Sequence, residues 1–433
     1  MGLLDPLMER PREVLRLRPF ALFWGATTLR AFGAAIAGVA FQVLIVTVLD
    51  ATALEISILS ALSVLPYLFL GLIVGALMDR WRRQRTLVIT SIGRAIVLAL
   101  VPVLFLLDAL TVWSLGLIIL ALGVLILFAH SAEQPLLPRI VPRDSLVMAN
   151  ARLGQSDTVA GTAGPALGGV LLNLIGAPLL FAVDAVINAV SAILQSRVVV
   201  DEAPPKPRAA GRHIGHDILE GMRYTYRHRT LRPLALSIHL WFLGNSIVAT
   251  LFGVFALREL GIPPWAFGIT LTAAGAGGFL GAVFAPRIGA SLGAGRAILL
   301  GRVLVVLPWL ALAVLPLSGA TSLVVLVVAL SAAQFIYGLS MGIEDANDTS
   351  YRQAVAPDEI QGRMNSTIRT MNRIVFFFGA LIAGVLATYL GYPVTIGIAT
   401  VIFVLAALVV ALSPLRTARQ DDAADPTAAD FTP

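Results

Sequence analysis

The sequence contains no cysteine, a single lysine and few charged residues of any kind. The absence of cysteine excludes a disulfide framework, thiol catalysis and cysteine metal sites. Charged residues make up 13% of the 433 residues, against about 25% in ordinary soluble proteins. Hydrophobic residues make up 58%. One soluble core cannot bury this share, because the surface-to-volume ratio of a folded protein leaves many of its residues in contact with water. A single large soluble enzyme is therefore excluded.

Long apolar runs take the place of the missing charge. Residues 111–129 carry no charge, and two longer uncharged runs, 303–343 and 374–415, are each interrupted by a turn containing glycine and proline. Because roughly 20 apolar residues in a helix cross a bilayer, the sequence predicts an all-α polytopic membrane protein with twelve transmembrane helices. The predicted spans are 20–49, 54–78, 86–107, 111–136, 146–175, 178–198, 232–259, 265–290, 296–316, 321–347, 362–390 and 393–413.

The basic residues predict the orientation of these spans. Of the 31 lysines and arginines, 27 fall on the same side of the membrane as the N-terminus, and only Arg258 falls on the other side. Arg30, Arg94 and Arg302 lie inside predicted spans. Because basic loops stay in the cytoplasm, we expect both termini there, in a multi-pass protein of the bacterial inner membrane. This topology explains the pI of about 10.1, so no nucleic-acid partner is expected.

The chain repeats itself at an offset of 215 residues. Glycine, proline and asparagine, which set backbone geometry and close helix contact, fall on each other at Pro142/Pro357, Asn150/Asn365, Gly164/Gly379, Gly176/Gly391 and Pro178/Pro393. Two parallel six-helix halves are a transporter architecture, although a duplication kept only for packing is the alternative. We predict a half at 1–198, a cytoplasmic linker with an amphipathic helix at 199–231, a half at 232–415 and a disordered acidic tail at 416–433.

A basic loop follows the second predicted span. It runs from Gly75 through Asp79 and Arg80 to Arg83. A carboxylate at a helix end accepts hydrogen bonds from an arginine or from the N-terminus of a neighbouring helix. Together with Arg352, beyond the tenth span, this cluster can hold a cytoplasmic gate closed; a plain positive-inside loop is the alternative.

Small residues recur along the fifth predicted span and allow another helix to approach closely. Proline in the same segment favours a kink. A kinked, glycine-lined helix can act as a pivot, and static close packing is the alternative. The residues concerned are Gly161, Gly164, Pro165, Gly168 and Gly169.

These segments resemble the motifs of the major facilitator superfamily. The loop from Gly75 to Arg85 is similar to its loop motif, and Gly161 to Gly169 is similar to its antiporter motif. The runs 134–150 and 352–365 resemble a branch with macrolide-type drug efflux pumps and enterobactin-type siderophore exporters. The resemblance implies alternating-access export, usually driven by proton antiport. The chain departs from that pattern at Arg82, where the motif usually has glycine, and at Ala34, where the branch often has an acid.

Proton coupling needs a carboxylate that can change its protonation state. Glu133 and Asp348 occupy equivalent positions of the repeat, and Glu344 and Asp345 lie close to Asp348 in sequence. We predict that these four acids form the gate or the proton-coupling group; salt bridges without a proton role are the alternative. Asp184, in the sixth span, is a further candidate, although a polar packing group is the commoner role.

Four residues are candidates for the substrate cavity. Arg30 inside the first span needs a partner or a wet cavity. It favours anionic cargo, unless it forms a structural ion pair with an acid on another helix. Gln42, Trp241 and Asn245 are expected to line the cavity through the first and seventh spans.

We therefore expect a secondary active transporter, not an enzyme, that exports a drug or a secreted metabolite. A small-molecule substrate, protons as the coupling ion and the lipid bilayer are its expected partners, and we expect a monomer without cofactor or metal. A lipid or lysolipid transporter is one alternative. A membrane receptor or scaffold without transport is the alternative from another class.

Overall fold

The computed structural model describes residues 11–78, 81–200, 214–318 and 322–419. Helices fill almost all of these residues, and no strand occurs among them. Asp79 and Arg80 of the predicted gate lie outside the described residues, as do residues 201–213 of the predicted linker and 420–433 of the predicted tail. The first helices are α1 (Pro11–Arg16), α2 (Arg18–Val43), α3 (Ala53–Met78), α4 (Arg83–Leu106), α5 (Val112–Ile140), α6 (Leu146–Ile175) and α7 (Ala177–Ser196).

Eight further helices follow residue 213. They are α8 (Ile214–Arg227), α9 (Leu231–Val254), α10 (Pro264–Leu292), α11 (Ala294–Leu304), α12 (Val306–Val314), α13 (Leu323–Val355), α14 (Asp358–Leu390) and α15 (Tyr392–Ala411). Among the described residues, twelve helical segments are long and apolar enough to cross a membrane. The predicted fold class, all-α with twelve transmembrane helices, is confirmed.

The chain divides into two compact units. The first comprises residues 1–51 and 62–208, and the second comprises 52–61 and 209–433. In the first unit, α2 packs against α6 and α7, while α7 also packs along α4. In the second unit, α9 packs against α14 and α15, and α13 packs against α10 and α11. The equivalent first helix of each unit therefore contacts the equivalent fifth and sixth spans.

Two local features of the backbone occur at equivalent positions in both units. Gly176 and Gly391 have φ angles of 80° and 79° and join the fifth span of each unit to the sixth. Residues with a side chain rarely adopt this conformation, which explains why glycine stands at both places. The first span of each unit also ends in a π-helical turn, at Leu44–Val48 and at Phe255–Glu259. The repeat in the sequence thus corresponds to a repeat in backbone geometry.

Two spans show the largest departures from their predicted course. The ninth span, predicted as one helix at 296–316, is divided into α11 and α12 at Val305. Pro308 explains the division, because proline lacks the N–H that would bond to the carbonyl of Leu304. The tenth span, predicted to end at 347, continues as α13 to Val355. Hydropathy marks where the apolar run ends, whereas polar residues can continue the helix beyond it.

Helix α8 packs against its own unit, although its sequence favours a helix lying on the membrane surface. A Cβ atom on Gly221 would lie 2.8 Å from the Arg363 carbonyl oxygen on α14, and Glu220 forms an ion pair with Arg363. At the junction with α9, the His228 Nδ1 atom accepts the Leu231 backbone N–H at 3.2 Å. Burial lowers the pKa of His228, which favours the neutral ring that can accept this bond.

The glycines of α6 differ in what lies beside them. A Cβ atom on Gly164 would meet Ala35, and one on Gly168 would lie 3.1 Å from the Ile36 carbonyl oxygen, both on α2. Nothing lies within 4 Å of the corresponding position on Gly161. Two of these glycines therefore allow α2 and α6 to pack closely, and the third does not serve that contact.

This difference predicts opposite effects of adding a methyl group. Gly168→Ala forces the α2 backbone away, so we expect it to lower the free energy of unfolding by about 1–3 kcal/mol, as overpacking does. Gly161→Ala is the matched control on the same helix and should be neutral or stabilising by up to about 1 kcal/mol, because alanine favours helix. Thermal unfolding in detergent measures both. Equal melting temperatures for the two variants would contradict the close contact.

Candidate functional site

The second unit contains a cavity of about 310 Å³. This volume lies at the lower end of the range for small-molecule sites. Helices α9, α11, α13 and α14 provide its wall, which has an apolar and aromatic part and a charged part. The lining residues are Ile238, Trp241, Phe242, Asn245, Arg302, Met341, Glu344, Asp345, Asp348, Arg352, Asn365, Ile368, Arg369 and Asn372.

Two ion pairs lie in the charged part. The Arg302 Nη2 atom on α11 is 2.7 Å from Glu344 Oε1 on α13, with side-chain exposures of 1% and 12%. The Arg352 Nη2 atom donates to Asp348 Oδ2 at 2.6 Å, one helical turn away on α13. Arg352 also donates to Asn365 Oδ1 on α14 at 2.7 Å. Because charges in apolar surroundings require partners, these bonds determine which side chains meet at the cavity.

The aromatic part of the wall touches the charged part at Trp241. The Arg302 guanidinium carbon lies 5.7 Å from the centre of the Trp241 ring, within the range of a cation–π interaction. The ring of Phe242 contacts Trp241 edge-on at 5.0 Å. Two further guanidinium nitrogens of Arg302, Nε and Nη1, are buried and have no hydrogen-bond partner in the part of the chain that the structure describes. Arg302 is therefore held by one carboxylate and one aromatic face.

Polar side chains position the remaining wall. The Tyr337 hydroxyl on α13 donates to Asn245 Oδ1 on α9 at 2.7 Å. His239 on α9 bonds Asn372 Oδ1 on α14 through Nδ1 at 2.7 Å and the Tyr226 hydroxyl through Nε2 at 2.7 Å. An amide oxygen only accepts hydrogen bonds, so the His239 Nδ1 atom carries the proton in this bond. The chain of contacts links α8, through His239, to the cavity.

The formal charges of the cavity balance. Three arginines, Arg302, Arg352 and Arg369, line it together with three acids, Glu344, Asp345 and Asp348. A proton taken up by Glu344 or Asp348 leaves its arginine partner without that counter-charge. Protonation therefore changes the affinity of the cavity for a charged ligand, because an uncompensated buried cation is costly.

The structure divides the predicted acid group between the two units. Glu344, Asp345 and Asp348 line the cavity of the second unit, where Glu344 and Asp348 are buried and Asp345 is exposed. Glu133 belongs to the first unit and forms an ion pair with Arg30. The Arg30 side chain, expected to attract anionic cargo or to pair with an acid, is 7% exposed and bound to this carboxylate.

The other candidates lie as follows. Trp241, Asn245 and Arg352 line the cavity. Asp184 is buried on α7. Gln42 lies on α2, and its buried Oε1 atom has no hydrogen-bond partner within the described ranges. Gly75 lies in α3, and Arg83 begins α4. The glycines and Pro165 of the antiporter-like motif lie in α6, which is a continuous helix.

A family comparison decides the class of protein. The chain matches the family model described as transmembrane secretion effector over residues 12–431. The chain belongs to this family of major facilitator transporters.

Solved structures show the same fold. A mutant of the nucleoside transporter NupG matches with a TM-score of 0.73 and 14% identity, over 91% of this chain and 99% of that one. A bacterial homologue of the iron transporter ferroportin in an inward-facing state gives 0.71 and 16%, over 92% and 98%. A D-xylose–proton symporter gives 0.68 and 13%, over 95% and 99%. No curated protein matches this sequence.

Sequence reasoning about this major facilitator transporter missed Arg302 as a site residue. The sequence places Arg302 inside a predicted span, where it repeats Arg94 at the offset of 208 residues that applies to the earlier spans of each half. This position inside a span was the available signal, since a charged residue within a transmembrane helix indicates a functional site. The neighbouring amides Asn365 and Asn372 gave no comparable signal, because asparagine is common in loops and helix ends.

The Arg302–Glu344 pair predicts a strong energetic coupling. Arg302→Met leaves Glu344 buried without a counter-charge, so we expect a loss of about 3–5 kcal/mol in the free energy of unfolding. The double variant Arg302→Met/Glu344→Gln removes both charges and should recover most of that loss. Unfolding in detergent, measured for both single variants and the double, completes the cycle. Additive effects of the two substitutions would show that the pair does not interact.

Proposed function

We propose that the protein exports a small organic molecule, a drug or a secreted metabolite, across the bacterial inner membrane in exchange for protons. In this proposal, alternating access carries the cargo, and the second unit's cavity holds part of it. The observation that carries the proposal is the buried pair Arg302–Glu344 beside Asp348 in the wall of that cavity.

The direction of transport is supported by the family. Its model describes a transmembrane secretion effector, which favours export over uptake. The wall also fits an amphipathic cargo, because aromatic side chains at Trp241 and Phe242 adjoin charged groups. Apolar walls with a few polar groups are typical of small-molecule sites.

Proton coupling is supported by the placement of the acids. Glu344 and Asp348 are 9% and 6% exposed, and each is held by an arginine. A carboxylate that loses its arginine in apolar surroundings favours the protonated form. Antiport requires that proton and cargo bind in turn, and one cavity with both acids and an aromatic wall meets that requirement. We assign the coupling proton to Glu344 or Asp348, with Asp345 and Glu133 in supporting roles.

The topology follows from the distribution of charge. The excess of arginine in the segments on the N-terminal side favours a cytoplasmic location for both termini. The gate is proposed to include Arg83 and Arg352, and α6 is proposed to serve as the pivot. We propose a monomer, because each unit contains its own buried charge network.

Proton-driven flux in liposomes tests this proposal. The purified protein is reconstituted, an inside-acid or inside-alkaline gradient is imposed, and a panel of dyes, macrolides and a catecholate siderophore is followed. We expect gradient-driven movement of at least one compound. Glu344→Gln and Asp348→Asn should reduce it by roughly 5- to 150-fold, the range that coupling free energies of about 1–3 kcal/mol represent.

Glu359→Gln is the control for these variants, because Glu359 is an exposed acid on α14 outside the cavity. It should transport like the wild type. Flux that ignores the pH gradient and survives both cavity substitutions would contradict proton coupling. Movement of a fluorescent lysolipid without any panel compound would indicate a lipid transporter, and no movement of either would favour the receptor or scaffold.

A further inference from the structure

Asp184 lies in an unusual place for a carboxylate. It is 4% exposed, near the middle of α7, and its carboxyl group faces the bare backbone of α2. A Cβ atom on Gly33 would overlap Asp184 Oδ1, with Ile187 beside it. The carboxyl group therefore occupies a gap between two spanning helices that only glycine leaves open.

Asn188 is the hydrogen-bond partner of Asp184 among the described residues. Its Nδ2 atom donates to Asp184 Oδ1 at 2.9 Å and to the Asp184 backbone carbonyl at 2.8 Å. These two acceptors fix the orientation of the amide, because an amide turned by 180° would present its oxygen to both. Asn188 is fully buried, and its Oδ1 atom has no hydrogen-bond partner among the described residues.

In the described part of the chain, no neighbouring cation forms an ion pair with Asp184. Arg94 on α4 interacts with Asp184 electrostatically, yet no nitrogen of it comes within ion-pair distance. Arg30 on α2 is bound to Glu133 of α5 and interacts electrostatically with Asp157 on α6. The cations around Asp184 are thus either engaged elsewhere or at a distance.

An ionised Asp184 would leave two problems unsolved. A carboxylate buried without a counter-ion is expensive, and it has no hydrogen to offer the orphaned amide oxygen. A protonated carboxyl group solves both. Its Oδ1 atom accepts from Asn188 Nδ2, and its hydroxyl is a donor of the kind that an amide oxygen such as Asn188 Oδ1 accepts.

We propose that Asp184 and Asn188 form a proton-binding site in the first unit, separate from the cavity of the second unit. Asp184 holds a proton in this conformation, with Asn188 as the partner of the neutral acid. Arg94 is the group that favours release, because its approach stabilises the ionised form. Occupancy of this site does not depend on antiport, whereas exchange of its proton during transport rests on the function proposed above.

Infrared spectroscopy of the full-length protein in lipid tests the occupancy. A protonated buried carboxyl group has a carbonyl stretching band apart from those of amides and ionised carboxylates. We expect such a band near neutral pH in the wild type, absent in Asp184→Asn and present in the control Asp157→Asn. Asp184→Asn should keep the wild-type melting temperature, because asparagine resembles the neutral acid in shape and hydrogen bonding.

A second variant keeps the test valid if Asp184→Asn does not fold. Asn188→Leu removes both amide contacts, so the band should move to higher frequency as the carbonyl loses its donor. Identical spectra for wild type and Asp184→Asn, or a band unmoved by Asn188→Leu, would overturn the proposal.

The same samples separate this site from the proposed transport mechanism. Proton release on addition of a transported compound, followed with a pH-sensitive dye, should fall in Asp184→Asn relative to the wild type. If Glu344→Gln abolishes coupling while the Asp184 band remains, the two proton sites are distinct, as proposed. If the band remains but no panel compound is transported, the proton site stands and the export proposal fails.

Discussion

The pairing of buried charges constrains this structure more than any other interaction. Charged side chains within apolar helices are unfavourable unless an opposite charge lies next to them. Arg302 therefore has to meet Glu344 across α11 and α13, and Arg30 has to meet Glu133 across α2 and α5. These ion pairs fix the rotation of the paired helices about their own axes within each unit. They also place titratable groups where a solute can reach them, in the wall of the second unit's cavity.

Close contacts between helices accompany the pairing of buried charges. Glycine at positions 164 and 168 brings α6 against α2, the helix that carries Arg30. In the second unit, a Cβ atom on Gly301 would lie 2.8 Å from the Glu344 Cβ atom, so the residue before Arg302 lets α11 approach α13. Small residues in membrane proteins allow backbones to approach, and at Gly301 this approach brings the partners of the Arg302–Glu344 pair within reach.

The spans, the charge bias and the repeat could be predicted from the sequence, because bilayer thickness and backbone geometry act on local patterns. The Asp348–Arg352 bond was also within reach, since residues four apart share a helix face. The partners of Arg302 and Arg30 were not. Pairing between helices depends on their rotation and packing, which hydropathy does not encode. Equivalence in the repeat does not give the ion-pair partners, because Glu133 and Asp348 bind arginines from different helices.

The repeat also shows where the two units have diverged. Arg94 and Arg302 occupy equivalent places, yet each faces an acid from a different span. Glu344 on α13 corresponds to Ala129 in the first half, and Asp184 on α7 corresponds to Ala399 in the second. The second unit thus holds its arginine in a direct ion pair at an open cavity, whereas the first keeps its acid in a closed gap beside Gly33. An acid in an ion pair responds to ligands that compete for the arginine, and an acid in a closed gap responds to movement of the helices around it. The two equivalent arginines therefore have different surroundings: Arg302 is in an ion pair at the cavity, whereas Arg94 interacts with Asp184 without an ion pair among the described residues.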